Sequence, residues 1–399
     1  MAKVIVIGGS YAGLTAVLEL RRLLPADHSV TLVSARENFF FFPSLIWVIQ
    51  GEREISDLSF PLQPVLDEAG VEFIHRRLTR IDPEDKIVDL DRGLTLDYDY
   101  LVIATGGEWE WDAVPGSQPK PEGHSVSMLS PQAAVTARQD WNAILTDPGP
   151  VTVGVALNAG LYGAAYELAL NLDTALRKAG VREDVPITFI TPEPFLGHLG
   201  HGGLGHSRQI LESAFARQEI LALTETQIKR VEAEAVFLAG RAGGLPSKFT
   251  VIVPPYLGIQ PVRETPDLAD SKGLIPVDNH FRSLRYQNIY GVGTAIQLQP
   301  PDKTLLPCGV LVTGKVSAEM GRAAAANLAA EFGIGQPSSK SPIDLKSFYV
   351  LDSGSQGLFM SLGSQSWLNL QVNLPGPWSH WAKLIAEDYQ MWQLKSGRF

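Results

Sequence analysis

The chain has 399 residues, enough for two or three domains and for a sizeable core. Apolar residues make up 45% and charged residues 19%, which excludes a disordered chain and a coiled coil. The net charge of −10 argues against a nucleic-acid partner, and the single cysteine, Cys308, excludes an internal disulfide, a cysteine-held cluster and a CxxC site.

Met1-Ala2-Lys3 runs directly into the β-branched segment Val4–Ile7, so no secretory signal is expected. Residues 3–7 read as a strand. Gly8-Gly9-Ser10-Tyr11-Ala12-Gly13 follows, then a helix over Leu14–Leu24 and a second strand over Val30–Val33. This is a βαβ opening. Its turn resembles GxGxxG, with Ser10 at the second glycine position. Gly8 permits the tight turn and Gly13 lets helix and strand approach, while Ser10 is small enough to leave room for a pyrophosphate at the helix N-terminus. Where an acidic residue would bind ribose hydroxyls the chain has Ser34, followed by Ala35 and Arg36; serine offers a weaker hydrogen bond.

The longest mostly apolar block, Phe39–Ile49, is interrupted by Pro43 and Ser44 and reads as a buried loop or strand. No run of about 18 apolar residues occurs, so no spanning helix is expected. Two more strands run into glycine turns, at Ala104-Thr105-Gly106 and at Gly291-Val292-Gly293-Thr294. Between them, Val151–Val155 reads as a strand leading into a long helix to about Ala179. Its turn carries Gly154, Ala156 and Ala159 where a nicotinamide site would have three glycines.

His198, His201 and His206 lie in a glycine-rich loop, too loosely built for a metal site to be expected. At the C-terminal end, four of the eight tryptophans fall in the last 33 residues. Trp378, Trp381, Ile385, Tyr389 and Trp392 recur at helical spacing and share one face, with Pro375 and Pro377 ahead of the helix. Such a face suits a bilayer interface, or packing on its own domain or a sister subunit.

The order of the three glycine turns, near residues 8, 105 and 293, resembles the two-dinucleotide-domain flavoproteins of the pyridine nucleotide–disulfide oxidoreductase superfamily. The stretches Gly163-Ala164-Ala165-Tyr166-Glu167, Thr191-Pro192-Glu193-Pro194-Phe195-Leu196-Gly197-His198 and Phe40-Phe41-Phe42-Pro43-Ser44, with the tail from Asp352-Ser353-Gly354 to Trp381-Ala382-Lys383, resemble the sulfide:quinone oxidoreductases. That resemblance implies an α/β fold with two Rossmann-like domains and an amphipathic helical tail. The FAD domain is split over 1–112 and 272–335, the second Rossmann-like domain spans 113–271, and 336–399 forms the membrane-surface, quinone-side region. It implies FAD, a quinone acceptor, sulfide or another reduced sulfur donor, and a monotopic membrane protein on the cytoplasmic side. A homo-oligomer is compatible with it.

The same resemblance implies cofactor contacts at Gly8, Ser10, Gly13, Ser34, Arg36, Pro43, Ala104, Thr105, Gly106, Gly293, Thr294 and Gly314, and catalytic roles for Cys308, His198 and Glu167. In the family, sulfide attacks a disulfide or polysulfide between two cysteines, a thiolate attacks the flavin, and the electrons pass in pairs to FAD and then to quinone. Cys308 lies near the family's C-terminal-side cysteine, as a reactive thiolate or a buried structural residue. Leu161 stands where another redox cysteine would be, Met128 or Leu129 where a third would be, and Val312 where a lysine would be. The paired sulfur relay is therefore absent. The alternatives are a type II NADH:quinone dehydrogenase, disfavoured by the altered middle-domain turn, a cytochrome-linked sulfide dehydrogenase subunit, disfavoured by the tryptophan-rich tail, and a flavin-binding protein without catalysis.

Overall fold

The computed structural model describes residues 1–341, 347–352, 356–362, 374–375 and 378–397. Strand β1 (Lys3–Ile7) is buried from Val4 onward, as an apolar β-branched run is when helices cover both faces of a parallel sheet. Helix α1 (Tyr11–Leu23) returns the chain to β2 (Ser29–Ser34). The apolar block expected as loop or strand is instead divided. Its first residues end a short strand, Asn38–Phe40. A 3-10 turn, Phe42–Ser44, admits Pro43, and α2 (Leu45–Gln50) follows, closed by Gly51 at φ 79°. Leu45 to Ile49 are all buried, so the segment has no polar face to betray a helical period.

β3 (Glu72–His75) and β4 (Tyr100–Ile103) complete the N-terminal part of the first sheet. Helix α3 (Pro131–Thr146) leads to a second parallel sheet. Its strands are β5 (Val151–Val155), β6 (Ile187–Ile190), β7 (Leu221–Leu223) and β8 (Phe249–Val253), with α4 (Tyr162–Ala179) crossing from β5 to β6. The chain then returns to the first sheet with β9 (Ile289–Gly291), which pairs Ile289 with Leu101. The first sheet has the order β9-β4-β1-β2-β3 and the second β7-β6-β5-β8, and every pairing in both is parallel.

Helix α5 (Gly314–Glu331) is capped by the Thr313 hydroxyl, which accepts from Val316 N–H. It crosses α1 with backbones nearly touching: a Cβ on Gly321 would lie 2.2 Å from the Ala12 carbonyl oxygen. Trp47, Trp141, Tyr162 and Tyr166 are the largest fully buried side chains, and all belong to one core cluster that runs between the two sheets.

The tail helix α6 (Trp378–Ser396) docks on the first domain. Met391 and Leu394 face inward and are buried. The Glu387 carboxylate is also buried, where it accepts from the Ser44 hydroxyl and stands 3.6 Å from Arg53 Nε. Lys395 Nζ lies over the Phe60 ring. The described side chains of the expected aromatic face point outward: Ile385 is 66% exposed, Tyr389 55% and Trp392 49%. Trp367, Ser353, Gly354 and Pro377 lie outside the described residues.

Candidate active site

Three turns lie side by side at the C-terminal ends of β1, β4 and β9. Gly8 N–H donates to Val33 O (2.7 Å), Ala104 N–H to Ile7 O (2.8 Å) and Val292 N–H to Ile103 O (3.0 Å). Gly8 has φ 113°, and a Cβ there would lie 2.3 Å from the Ala104 carbonyl oxygen; one on Gly13 would lie 1.8 Å from Gly8 O. Only glycine fits either place. Ser10 stands at the N-cap of α1 without a side-chain cap bond, and no acidic residue occupies the first helical turn. The unpaired N–H groups of that turn and the helix dipole therefore favour an anion in front of them.

That space is a cavity of about 500 Å³. Of the expected cofactor residues, Gly8, Ser10, Ser34, Arg36, Ala104 and Thr105 line it. Gly13 and Gly314 support the wall from behind, since a Cβ on Gly314 would lie 2.7 Å from the Tyr11 ring. Gly106 and Thr294 face each other, with a Cβ on Gly106 3.2 Å from Thr294 Oγ1, and Gly293 turns at φ 69°. At Pro43 it is the neighbouring Phe42 that reaches the cavity. The Ser34 hydroxyl donates to Arg36 O (2.8 Å) and accepts from Arg36 N–H (3.1 Å), which leaves one acceptor lone pair for a ribose hydroxyl.

Arg76 and Arg77, which follow β3, also line the cavity and were not foreseen. Their signal lies in the sheet: Ser34 pairs with His75, so the residues after β3 emerge beside those after β2. Helix N-terminus, arginines and obligatory glycines together fit the diphosphate and adenosine of FAD.

In the second domain the turn after β5 is filled by the chain itself. Asn158 N–H donates to Pro307 O (2.9 Å) and Gly309 N–H to Ala159 O (3.2 Å). Three glycines let three backbones meet here. A Cβ on Gly160 would lie 2.3 Å from Val310 O, one on Gly309 2.4 Å from Asn158 O, and one on Gly200 1.9 Å from Gly309 O. The segments around Asn158–Tyr162, His198–His201 and Pro307–Leu311 are thus joined.

Cys308 sits at this junction, buried, with its thiol donating to Leu306 O at 3.6 Å. The hydroxyls of Thr304 and Tyr162 also bond to it, and Gly309 N–H donates to Tyr162 Oη (3.2 Å). Burial pushes the thiol up, outweighing those hydrogen bonds, so it is protonated at neutral pH. His198 is buried in the adjoining loop, with Nε2 3.9 Å from Asp302 Oδ2 and Nδ1 without a partner among the described residues. Burial lowers its pKa, which keeps the imidazole neutral and able to accept a proton. His201 Nε2 lies 3.5 Å from Leu311 O and is likewise lowered by burial.

Glu193, unmarked as a site residue in the sequence, is fully buried beside them. It accepts from Tyr166 Oη (2.6 Å), Thr191 Oγ1 (2.8 Å) and Leu199 N–H (2.7 Å), yet burial still raises its carboxyl to about 7. Glu167 is also buried on α4, five residues after Tyr162 and about 140° round a helix of 3.6 residues per turn. Leu161 stands at the N-cap of α4, and Met128 and Leu129 are buried.

The sequence profile of the pyridine nucleotide-disulphide oxidoreductases matches residues 2–305. The sulfide-quinone reductase of Aquifex aeolicus is 34% identical over 404 residues, covering all of this chain and 92% of that one. The crystal structure of the sulfide:quinone oxidoreductase from that bacterium superposes with a TM-score of 0.91 at 32% identity, over all of this chain and 92% of its own. The mitochondrial sulfide:quinone oxidoreductase of Mus musculus is 26% identical over 76% of this chain and 67% of its own length. The split first sheet, the FAD cradle at its three turns and this full-length kinship agree: the chain is a flavin-dependent oxidoreductase of the sulfide:quinone oxidoreductase family.

Proposed function

We propose that this enzyme takes an electron pair from sulfide or a related reduced sulfur species and delivers it, by way of FAD, to a quinone at a membrane surface. The observation that carries the reading is the locked junction of the segments that bear Tyr162, His198 and Cys308, in a chain matched end to end by a sulfide-quinone reductase. FAD, when bound, supplies the two-electron store. The balance is HS⁻ + H⁺ + quinone → sulfur + quinol.

The chain's own groups handle the sulfur and the proton. In this reading the acceptor for the proton that Cys308 must lose is His198, which is neutral and lies on the loop packed against the Cys308 segment, since the thiolate and not the thiol bonds to sulfur. The Tyr162 hydroxyl donates to the sulfur once it is charged. With one cysteine in the chain, the oxidised sulfur is carried as a Cys308 persulfide: Cys–S⁻ + HS⁻ → Cys–S–S⁻ + H⁺ + 2e⁻. An external thiol or sulfide then removes it. The outward row Ile385, Tyr389 and Trp392 supports docking of α6 on a lipid surface, which would bring quinone to the FAD domain. The division into 1–112 with 272–335, 113–271 and 336–399 belongs to this reading.

Anaerobic addition of sulfide tests it. The flavin absorption band should bleach with sulfide and not with NADH, and Cys308→Ser should abolish the sulfide response. Bleaching by NADH alone overturns the reading, and unchanged rates in the serine variant remove the thiol from it. A second reading, a flavoprotein that no longer oxidises sulfide, is favoured by the protonated Cys308 and by Leu161; it predicts no bleaching by either donor.

A further inference from the structure

Glu193 has no part in the FAD cradle and no contact with solvent. Its Oε1 accepts from Leu199 N–H, with His198 N–H also directed at the carboxylate, and its Oε2 from Tyr166 and Thr191. Leu199 has φ 56°, a conformation that a leucine rarely adopts without support. The Tyr166 hydroxyl in turn accepts from Gly197 N–H (2.9 Å). One carboxylate thus secures the peptide groups of Gly197, His198 and Leu199, while Gly200 presses on Gly309. One turn before Tyr166 on α4, Tyr162 bonds to Cys308.

The titratable groups facing Glu193 are Tyr162 and Tyr166 from α4 and Cys308 from its own segment, while His198 from the shared loop reaches it through its peptide N–H. None is a fixed cation. Asp302, on the far side of His198, adds a further negative charge.

We infer that Glu193 is a positioning residue for the donor site, holding His198 against the Cys308 segment and setting, by its own charge, how readily Cys308 ionises. The inference rests on the reading that Cys308 and His198 form that site. Two like charges in one dry space oppose each other, so an ionised Glu193 disfavours the thiolate, and the two titrations are coupled. An anionic donor such as hydrosulfide meets the same repulsion. The carboxyl titrates near neutrality, so the charge of the donor site changes in the range where hydrosulfide forms.

The single cysteine makes the test specific. Holoenzyme labelled with ¹³Cβ-cysteine gives one resonance, whose shift with pH reads the thiol directly. Glu193→Gln should lower its midpoint by at least half a pH unit. Tyr166→Phe, which leaves the thiol's own partners in place, should shift to higher pH the small inflection that the Glu193 titration near 7 imposes on the same resonance, because Glu193 without that donor stays neutral longer. An unchanged or raised midpoint in folded Glu193→Gln overturns the inference. If that variant does not fold, a thiol resonance without an inflection near pH 7, or one whose inflection is unmoved in Tyr166→Phe, overturns it. Sulfide-driven bleaching of the wild type is recorded in parallel; its absence would remove the donor-site reading while leaving the link between Glu193 and the thiol standing.

Discussion

Gly200 and Gly309 approach so closely that a Cβ on Gly200 would lie 1.9 Å from the Gly309 carbonyl oxygen. Gly200 is also at φ 71°, so any side chain there is both strained and blocked. Gly200→Ala should therefore cost about 2–4 kcal/mol and shift the His198 loop away from Cys308. We expect a lower melting temperature and a more than tenfold slower sulfide-driven bleaching, with flavin content unchanged. Normal kinetics in the variant would show that the loop contact is dispensable.

Gly13→Ala acts on the other site. Its Cβ would meet the Gly8 carbonyl oxygen at 1.8 Å and push the first turn out of register with β1. The expected result is a protein that purifies with less than a tenth of the normal flavin, read from the ratio of visible to near-ultraviolet absorbance.

Glu193 should leave a mark on stability as pH changes. Its folded pKa is raised to about 7 from an ordinary 4.5. The stability that its protonated form contributes is complete below about pH 4.5 and is lost as pH rises through 7. Glutamine does not titrate. The stability of the wild type relative to Glu193→Gln should therefore fall by up to about 3 kcal/mol between pH 4.5 and 8. Denaturant unfolding at several pH values measures it, and a flat difference would place the carboxyl at its ordinary pKa.

Glu387→Ala removes the carboxylate that binds Ser44 and neighbours Arg53 under the tail helix. An arginine left half-buried without its partner should cost about 3 kcal/mol, concentrated at the α6 contact. Limited proteolysis should then cleave near residue 378 well before the rest of the chain, whereas wild type resists.

Replacing Ile385, Tyr389 and Trp392 together with serine should leave the melting temperature within a degree or two, because these side chains face outward. Each would contribute on the order of 1–2 kcal/mol if inserted in lipid. Vesicle binding should drop at least tenfold; equal binding would show that α6 is not the membrane contact.

Much of this was legible in the sequence where a local constraint writes itself into residue type. Gly8 and Gly13 announce the first turn because nothing else fits, and β1, β5 and α4 are marked by their apolar runs. The helix Leu45–Gln50 was not legible, since burial on every side erases periodicity. Nor were Arg76 and Arg77, which reach the FAD cavity only because β3 lies beside β2. Glu193 looks like an ordinary loop carboxylate until folding brings Tyr166 from α4 to meet it. The occupation of the second domain's turn by Pro307–Gly309 is likewise a tertiary fact. The altered Gly154–Ala159 turn spoke only against a nicotinamide cofactor there.

The pairing of Ile289 with Leu101 also sets an order of events during synthesis. The second sheet is complete once Val253 has left the ribosome, but the FAD cradle lacks its third turn until Gly293 follows. The middle of the protein can therefore fold while its first hundred residues still wait for a strand, and cofactor capture comes near the end of translation. A chain truncated before β9 should make the second domain's sheet yet hold no flavin.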